Sequence, residues 1–598
     1  MRVENMTHWR KLIVVFSLLS TLLLVGGKLS AEDVDHAGCP PKPLRGGMDP
    51  QVCIMDGCLR GKTVTSLHWG TFEAFVGIPF AKPPIGELRF ANPVPNEWWG
   101  RRAVYNATEE KPMCVQKNDL IPNAEVQGSE DCLYLNVYRP SAQNTLRGDL
   151  PVMVYIHGGG FFAGSASSAV HGPEYFMETG RVILVTLQYR LGVFGFFSIG
   201  EEAAPGNFAL KDQVMALHWV KKNIAAFGGD PRRVTIFGQS AGAASVQMHM
   251  ISPMSVGLFS KAIMMSGSAN APWNIPTKDP LKLARRQAEV FWPCASKLSP
   301  KQLVSVLRSV DAQELAQSID KLKAWSIDPL TLYRPVVEPP SWSNQAFLVE
   351  DPRVSWQKGN YQQVPWMTGY LPNEGAVRAI AITSNENQLK ELNANISHLL
   401  PVLLEKQPSA ELLQRIKERF FSDGTEGEWI TKHNAQRFVD MFTEAAFLYP
   451  IQATVKQHIT TGDTQIAPVS IYKFSFKGPH SYSFYYTFTP QDFGVVHCDE
   501  LIYLFRSPAL FEDFPPASKE AAMSRELVQF FIDFAYNGVA TPLRPYRVCS
   551  NDNELYQSMD CDVLEFTNSE EPFEDKPFGV RIVNGRNEDL FAFWNNFY

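Results

Sequence analysis

The pentad Gly238-Gln239-Ser240-Ala241-Gly242 constrains the fold of this chain more than any other feature of its sequence. It follows an apolar, strand-like run at 234–237 and precedes a helical pattern of small residues. Glycines on both sides of a serine permit the sharp strand–helix turn that exposes a serine hydroxyl at the top of a sheet. A glycine-rich turn with a merely capping serine is the alternative. The strand before the pentad and the helix after it favour a nucleophile at Ser240.

Other apolar runs alternate with helical patterns on both sides of the pentad. Residues 151–156 and 182–187 are strand-like, and residues 208–226 repeat apolar side chains on one helical face before a glycine-rich break at 228–231. Continuous apolar strands separated by helices indicate an α/β fold with a largely parallel sheet that is buried on both faces. Functional sites in such folds lie at the carboxyl ends of the strands.

The later part of the chain is more helical. Clear helical patterns occupy 281–290, 410–421 and 524–537. The stretch from about 280 to 440 is either packing scaffold or a cap over the site. Because no internal repeat or linker interrupts the chain, we expect one domain at 61–598, preceded by a Cys-, Pro- and Gly-rich extension at 32–60.

The N-terminus has the pattern of a signal peptide. Arg10 and Lys11 precede an apolar stretch at 12–25, and small residues follow up to Ala31. This stretch is too short for a comfortable membrane-spanning helix. We therefore predict a signal peptide at 1–31, with an uncleaved signal anchor as the alternative. No later run of 18 apolar residues occurs, so we expect a secreted, extracellular protein without a stable membrane anchor.

Charge and cysteine content narrow the class further. The 598 residues have a net charge of −7, whereas nucleic-acid binders normally carry a basic balance, so we expect no nucleic-acid partner. Nine cysteines in a secretory chain indicate disulfides and leave at least one cysteine unpaired. Short separations offer these candidate pairs: Cys114 with Cys132, Cys549 with Cys561, and two of Cys39, Cys53 and Cys58.

Short motifs also bear on metal binding and on glycosylation. No pair of CxxC motifs and no HExxH motif occurs, so we predict no metal site. Sequons make Asn106 and Asn395 candidate glycosylation sites.

A nucleophilic serine needs backbone donors for an oxyanion and a general base. The run HGGGF at 157–161 follows a predicted strand, and it places the N–H groups of Gly159 and Gly160 beside the site, together with that of Ala241. A phosphate-binding loop is excluded because no Lys-Ser/Thr pair follows the glycines. This chemistry requires no metal or organic cofactor.

The base must lie late in the chain if the order is serine, acid, histidine. His497 ends the apolar run in GVVHCDE at 494–500, which makes it the best base, whereas His480 lies in a Gly-Pro turn. His398, His433 and His458 lie in helix-like segments, and we expect them at the surface. Glu374 follows the apolar run at 364–367, but a Glu-Gly turn is more often a solvated loop. The residue pattern alone therefore does not decide which residue is the acid of the triad.

Ordered motifs extend well beyond the pentad. They are GIPFAKPP at 77–84, LRF at 88–90, EDCLYLNV at 130–137 and FGG at 227–229. With these motifs, residues 60–540 resemble the type-B carboxylesterase/cholinesterase family of α/β hydrolases. The resemblance implies an α/β-hydrolase fold, with a large and mostly parallel central sheet flanked by helices and with helical cap insertions. It also implies a triad of Ser240, Glu374 and His497.

The resemblance has further structural implications. It implies a Cys114–Cys132 disulfide and these two buried ion pairs: Arg89–Glu130 and Arg190–Asp212. Within the family, the sequence is most similar to insect juvenile hormone esterases, and Gln239 discriminates most, since glutamate usually precedes the nucleophile.

Two departures from the wider family matter. No tryptophan lies between Cys114 and Cys132, and Gln239 is neutral, so choline esters are disfavoured. The usual partner of Cys294 falls at about Val306, so we expect Cys294 to be unpaired, as well as Cys498.

Together these features predict a secreted serine esterase that hydrolyses uncharged carboxylic esters through a Ser-Glu-His triad and an acyl-enzyme intermediate. Its partner would be a small hydrophobic ester, and juvenile hormone and xenobiotic esters are the candidates. A catalytically inactive, cholinesterase-like adhesion or binding protein is the alternative, because fold alone does not determine function. A lipase would need an exposed apolar lid, which the sequence does not reveal. The sequence leaves the oligomeric state open.

Overall fold

The predicted parallel sheet forms the centre of the molecule in the computed structural model. The structure describes residues 49–67, 70–97, 99–141, 149–341, 345–423, 428–489, 491–539, 562–568, 578–585 and 587–598. The predicted signal peptide, most of the predicted extension, and Cys39, Cys549 and Cys561 lie outside these residues.

Eleven strands within the described residues form one mixed sheet, in the order β14-β13-β12-β11-β10-β9-β7-β8-β6-β4-β3. Neighbouring strands from β8 to β13 in this order are parallel, and the pairings beyond them are antiparallel. The strands are β1 Gln51–Ile54, β2 Gly57–Arg60, β3 Lys62–Thr65, β4 Thr71–Pro79, β5 Gly100–Asn106, β6 Tyr134–Pro140, β7 Leu150–Ile156, β8 Ile183–Leu187, β9 Gly229–Gln239, β10 Lys261–Met265, β11 Trp366–Tyr370, β12 Val469–Phe474, β13 Asp562–Thr567 and β14 Gly579–Asn584.

Helices cover both faces of this sheet, as continuous apolar strands require. Every residue of β8 is buried, and separate apolar clusters pack alternate side chains of β7, Val152 with one cluster and Met153 with the other. The α-helices are Glu174–Met177, Gly192–Phe196, Phe208–Asn223, Ala241–Ile251, Pro280–Glu289, Pro300–Arg308, Ala312–Gln317, Pro352–Gln357, Ala376–Thr383, Glu386–Ala394, Ile396–Leu403, Ala410–Phe420, Ala435–Thr443, Tyr449–Thr461, Ser483–Thr487, Leu501–Leu504, Lys519–Asn537 and Glu588–Trp594.

Local capping explains where the predicted helices differ from the observed ones. The helix predicted at 524–537 begins earlier, at Lys519, because the Ser518 hydroxyl accepts the Ala521 N–H at 3.1 Å. Its last residue is Asn537, and Gly538 follows it with a φ of 76°, which suits a residue without a side chain.

The break predicted at 228–231 is partly wrong, because β9 already begins at Gly229, which pairs with Leu150 of β7.

The described part of the N-terminal extension joins the fold through a small second sheet. β1 and β2 form an antiparallel hairpin, and β2 also pairs in parallel with β5. A disulfide between Cys53 and Cys58 closes this hairpin, which is one of the pairs that the short separations offered. The Cys114–Cys132 disulfide is also present.

Both ion pairs implied by the family resemblance are present; Arg190–Asp212 is buried, and Arg89–Glu130 is partly buried at Glu130. Arg89 donates to Glu130 from Nε at 2.6 Å and from Nη2 at 2.5 Å. Arg190 donates to Asp212 at 2.8 Å and 2.7 Å. Two parallel hydrogen bonds fix a guanidinium against a carboxylate, so the second pair ties the segment after β8 to the helix Phe208–Asn223. Among the helices of the described residues, none has the length and apolar character needed to cross a membrane.

Candidate active site

Ser240 stands at a strained turn between β9 and the helix Ala241–Ile251. Its backbone has φ 58° and ψ −121°, a region that non-glycine residues rarely adopt and that often marks functional sites. The Ser240 N–H donates to Met265 of the next strand at 2.8 Å, which fixes the turn. Gly242 makes the turn possible, because a side-chain carbon there would lie 2.0 Å from the Ile156 carbonyl oxygen.

Glu374 and His497 meet through two loops that are bonded to each other. Asn373, in the loop after β11, donates its N–H to the Val495 carbonyl at 3.1 Å. His497 Nδ1 then lies 2.5 Å from Glu374 Oε2, and the other oxygen, Oε1, accepts the Leu371 N–H at 2.8 Å. Glu374 is fully buried and His497 is 4% exposed. A proton on Nδ1 bonded to this carboxylate leaves Nε2 of the imidazole free to accept another.

The surroundings of His497 favour its protonated form. Burial lowers the pKa of His497, but Cys498 and the Glu374 carboxylate raise it, and the net shift is well above the ordinary value of 6.5. Burial also raises the pKa of the Cys498 thiol. The Glu374 carboxyl group, 2.5 Å from Nδ1, is placed to stabilise an imidazolium at His497.

Gln239 contacts the same imidazole. Its amide nitrogen lies 3.3 Å from His497 Nε2, and its side chain is 1% exposed. The ring of Phe447 also packs on the imidazole, with 4.7 Å between ring centroids. The sequence identified Gln239 as unusual but did not place it against the base, and it gave no signal for Phe447.

Gly159, Gly160 and Ala241 offer backbone N–H groups beside Ser240. Gly159 and Gly160 have φ of 102° and 58°, and a side-chain carbon on Gly159 would lie 2.1 Å from the Ala163 carbonyl oxygen. Within the described residues, the N–H groups of these two glycines donate to no backbone carbonyl. The N–H of Ala241 opens a helix and has no carbonyl one turn earlier to bond. These are the donors that an oxyanion would need.

His157 supports this loop as a neutral side chain. Burial lowers its pKa to about 3. Its Nδ1 lies 2.9 Å from the Gly158 carbonyl oxygen, and its ring stacks on Tyr189 at 4.3 Å. The Tyr189 hydroxyl in turn donates to the His157 carbonyl at 2.6 Å. These contacts fix the start of the glycine run against the sheet.

A mainly apolar cavity opens beside these groups. It has about 770 Å³ of space not filled by atoms, part of it open to solvent. Many lining residues come from the helical stretch at 280–440 or just after it, as expected of a cap. The lining residues include Ser240, His497, Gly159 and Gly160, together with Leu120, Trp273, Leu330, Val377, Leu403, Leu404, Phe442, Phe447, Asp328, Arg378 and Glu405.

The other predicted residues lie elsewhere. His480 is half-buried against Phe511 and Phe514 and does not line the cavity. The surface prediction for His458 is wrong: it is fully buried, because Tyr361 and the Ala467 carbonyl bond both of its ring nitrogens at 2.7 Å. His398 and His433 are exposed, as predicted.

The cysteines and sequons complete the predicted set. Cys294 is exposed, Cys498 is half-buried, and these two are the free cysteines of the described residues, which confirms the prediction for both. Asn106, at the end of β5, and Asn395, after the helix Glu386–Ala394, are both exposed. Cys114 and Cys132 are both buried in the protein interior.

Comparison with known proteins gives the family. A sequence model of the carboxylesterase family matches residues 48–574. The chain is 40% identical over 546 residues to juvenile hormone esterase of Tribolium castaneum, covering 90% of this chain and 88% of that protein. It is 33% identical over 499 residues to venom carboxylesterase-6 of Apis mellifera, covering 82% of this chain and 86% of that protein.

A solved structure agrees with these sequence matches. The fold is similar to that of juvenile hormone esterase from Manduca sexta, crystallised with OTFP covalently attached. The TM-score is 0.76 at 26% identity, and the match covers 92% of this chain and 99% of that chain. The sheet order and flanking helices described above are therefore those of an α/β hydrolase. The chain belongs to the carboxylesterase family and is a carboxylic ester hydrolase.

Proposed function

We propose that this enzyme hydrolyses esters through a triad of Ser240, His497 and Glu374. The bond between Glu374 and His497, with His497 lining the same cavity as Ser240, carries the proposal. His497 Nε2 takes the Ser240 proton while Oγ attacks the ester carbonyl. Glu374 keeps the imidazole in the tautomer with Nδ1 protonated and stabilises the cation that forms.

The remaining steps use the same groups. The N–H groups of Gly159, Gly160 and Ala241 bond the developing oxyanion, where preorganised donors act most strongly. The protonated His497 then gives its proton to the leaving alcohol, and an acyl-enzyme remains on Ser240. Water attacks this ester with His497 again as the base, which releases the acid and restores the serine. No metal or organic cofactor takes part in these steps.

The substrate class follows from the lining of the cavity. Most lining side chains are apolar, and Gln239 is neutral where a carboxylate would attract a cation. Uncharged carboxylic esters with an extended apolar acyl chain therefore fit best. Juvenile hormone is one candidate, since two relatives carry the name juvenile hormone esterase, and xenobiotic esters are another.

The site of action is part of the same proposal. A signal peptide at 1–31, a domain that begins near residue 61 and exposed sequons at Asn106 and Asn395 together suit a secreted, glycosylated enzyme. The two disulfides, Cys53–Cys58 and Cys114–Cys132, fit an oxidising compartment. Recovery of glycosylated enzyme from the medium, starting after residue 31, would be the expected result of expression in a secreting cell.

One experiment tests the chemistry. A panel of p-nitrophenyl esters of increasing acyl length, with juvenile hormone and acetylthiocholine alongside, should give turnover that is highest for long neutral esters. Ser240→Ala should reduce turnover by several orders of magnitude while far-ultraviolet circular dichroism stays unchanged. Near-parental turnover by the folded variant would remove Ser240 from the role of nucleophile.

A further inference from the structure

The wall of the cavity beside Ser240, which is apolar over most of its lining, contains the buried ion pair of Arg378 and Asp328. Arg378 and Asp328 both line the cavity, and their side chains are 4% and 2% exposed. Nε of Arg378 donates to the two Asp328 oxygens at 3.2 Å and 2.9 Å, and Nη2 donates to one of them as well. The pair is held by the loop at 328 and by the helix Ala376–Thr383, so the guanidinium has a fixed orientation.

One nitrogen of this guanidinium is left without a protein partner. Within the described residues, no hydrogen bond is made by Nη1 of Arg378. Its neighbour Arg334 differs: Nε donates to Thr331, Nη1 to Pro272, and Nη2 pairs with Glu405. Arg378 is a member of the cavity wall, and a donor there that loses water to a bound molecule without gaining an acceptor costs free energy. Its Nη1 is therefore a donor available to a molecule in the cavity.

We propose that Arg378 determines substrate specificity by donating from Nη1 to a neutral oxygen on the chain of the ester. An ether or ketone oxygen is the acceptor class that fits. The proposal rests on the proposed esterase function and deepens it: the preferred ester is not purely hydrocarbon but carries one such oxygen at a set distance from its carbonyl.

The charges of the wall exclude an anion in that position. Arg378 is already paired with Asp328, and Arg334 with Glu405. A substrate carboxylate would add a negative charge beside two buried carboxyl groups. Burial raises the pKa of Glu405 to about 7 even with Arg334 beside it, which indicates how poorly these surroundings solvate a charge.

The test measures binding rather than turnover. The probes are long-chain methyl esters in which one CH₂ is replaced by an ether oxygen at successive positions, each compared with the all-carbon ester, and the protein is the Ser240→Ala variant. In an apolar cavity an ether oxygen loses its bonds to water, so oxygen should weaken binding at most positions. At one or two adjacent positions, a bond from Nη1 should make binding about tenfold tighter than at the others.

Two variants assign this preference to Arg378. Arg378→Lys keeps a charge opposite Asp328 but has no Nη1, and the double change Arg378→Met with Asp328→Leu removes the pair without leaving a buried charge unpaired. The positional preference should disappear in both. Arg353→Lys is the matched control, since Arg353 also pairs with an aspartate, Asp351, but lies outside the cavity lining; it should keep the preference.

The outcomes separate the two proposals. A parent profile that is flat along the chain, or a preference that survives in both Arg378 variants, would overturn the role of Arg378. A positional preference in binding without hydrolysis of any ester by the Ser240 enzyme would instead overturn the proposed catalytic function alone. Hydrolysis of the whole series with a flat profile would leave the triad in place and remove only the specificity proposal.

Discussion

Glu374→Gln is the sharpest test of the triad, because it removes a charge with almost no change in volume. The Leu371 N–H donates to Oε1 at 2.8 Å, and this donor needs an acceptor in the variant too. The new amide must therefore keep its oxygen toward Leu371 and turn its NH₂ toward His497. An NH₂ group facing Nδ1 forces the imidazole to carry its proton on Nε2. In that tautomer, His497 cannot accept the proton of Ser240.

The size of the effect follows from the same geometry. The Nδ1–Oε2 separation is 2.5 Å. With the delocalised charges centred about 4 Å apart and an effective dielectric constant of about 20, a carboxylate stabilises an imidazolium by about 4 kcal/mol. That value corresponds to roughly a thousandfold in rate. The corresponding aspartate-to-asparagine change in the Ser-His-Asp triads of serine proteases lowers kcat about 10⁴-fold, and this loss includes the effect of the wrong imidazole tautomer. We therefore expect kcat to fall by about 10³–10⁴.

The assay is single-turnover and steady-state hydrolysis of a p-nitrophenyl ester, with active-site titration to count competent enzyme. Glu565→Gln is the matched control, because Glu565 is a buried glutamate with ion-pair partners on β12 and β14, outside the residues that line the cavity. It should retain parental kcat. A kcat for Glu374→Gln within tenfold of the parent, in folded protein, would refute the tautomer argument and open the search for another acid.

Four further predictions can be checked with the same protein. The acid limb of kcat/KM should lie above pH 6.5, because activity needs neutral His497 and its pKa is raised; a limb at or below pH 6 would contradict this direction. His497→Ala should be nearly inactive and His480→Ala within a few-fold of the parent, and the reverse pattern would overturn the choice of base. The parent should hydrolyse the neutral 3,3-dimethylbutyl thioester better than acetylthiocholine, and Gln239→Glu should shift that kcat/KM ratio toward the cation by about tenfold or more; an unchanged ratio would show that Gln239 does not set charge selectivity. Replacing Cys114 and Cys132 by serine should lower the unfolding free energy by about 3 kcal/mol, from a sequence separation of 18, and an unchanged denaturant midpoint would contradict the estimate.

Those parts of the fold that rest on local patterns could be predicted from the sequence. The strands on either side of the pentad and the helix after it follow from apolar periodicity and glycine positions, which act over a few residues. The position of His497 beside Ser240 could be predicted because an apolar run precedes it and ends in a loop. The burial of His458 could not be predicted, because helical periodicity does not show that Tyr361 and the Ala467 carbonyl enclose that face of its helix.

Glu374 shows what the residue pattern lacks. A Glu-Gly turn is usually solvated, and only the bond between Asn373 and Val495 brings this turn against the loop of His497. That contact joins residues more than a hundred positions apart, which no local pattern encodes. The family resemblance supplied the assignment, because ordered motifs along the chain carry the whole topology with them.

The same reasoning explains why the catalytic groups were easier to place than the groups that select the substrate. Gly238, Met264, Thr368 and Ile471 lie in one row across β9, β10, β11 and β12, so the strand ends are aligned. With neighbouring strands about 4.8 Å apart, the ends of β9 and β11 lie roughly 10 Å from each other. An imidazole between Ser240 and Glu374 can therefore bridge them, and sheet order sets the spacing of these two residues.

The charged residues of the cavity wall are not positioned by the strands of the sheet. Asp328 comes from a loop, Arg378 from the helix after the Glu374 turn, and Glu405 follows the helix Ile396–Leu403, and these three meet through packing of helices outside the sheet. The two proposals therefore predict that substitutions at Arg378 change the selection among esters, whereas substitutions at Ser240, Glu374 or His497, at the strand ends and the loop bonded to them, change the ability to cleave an ester.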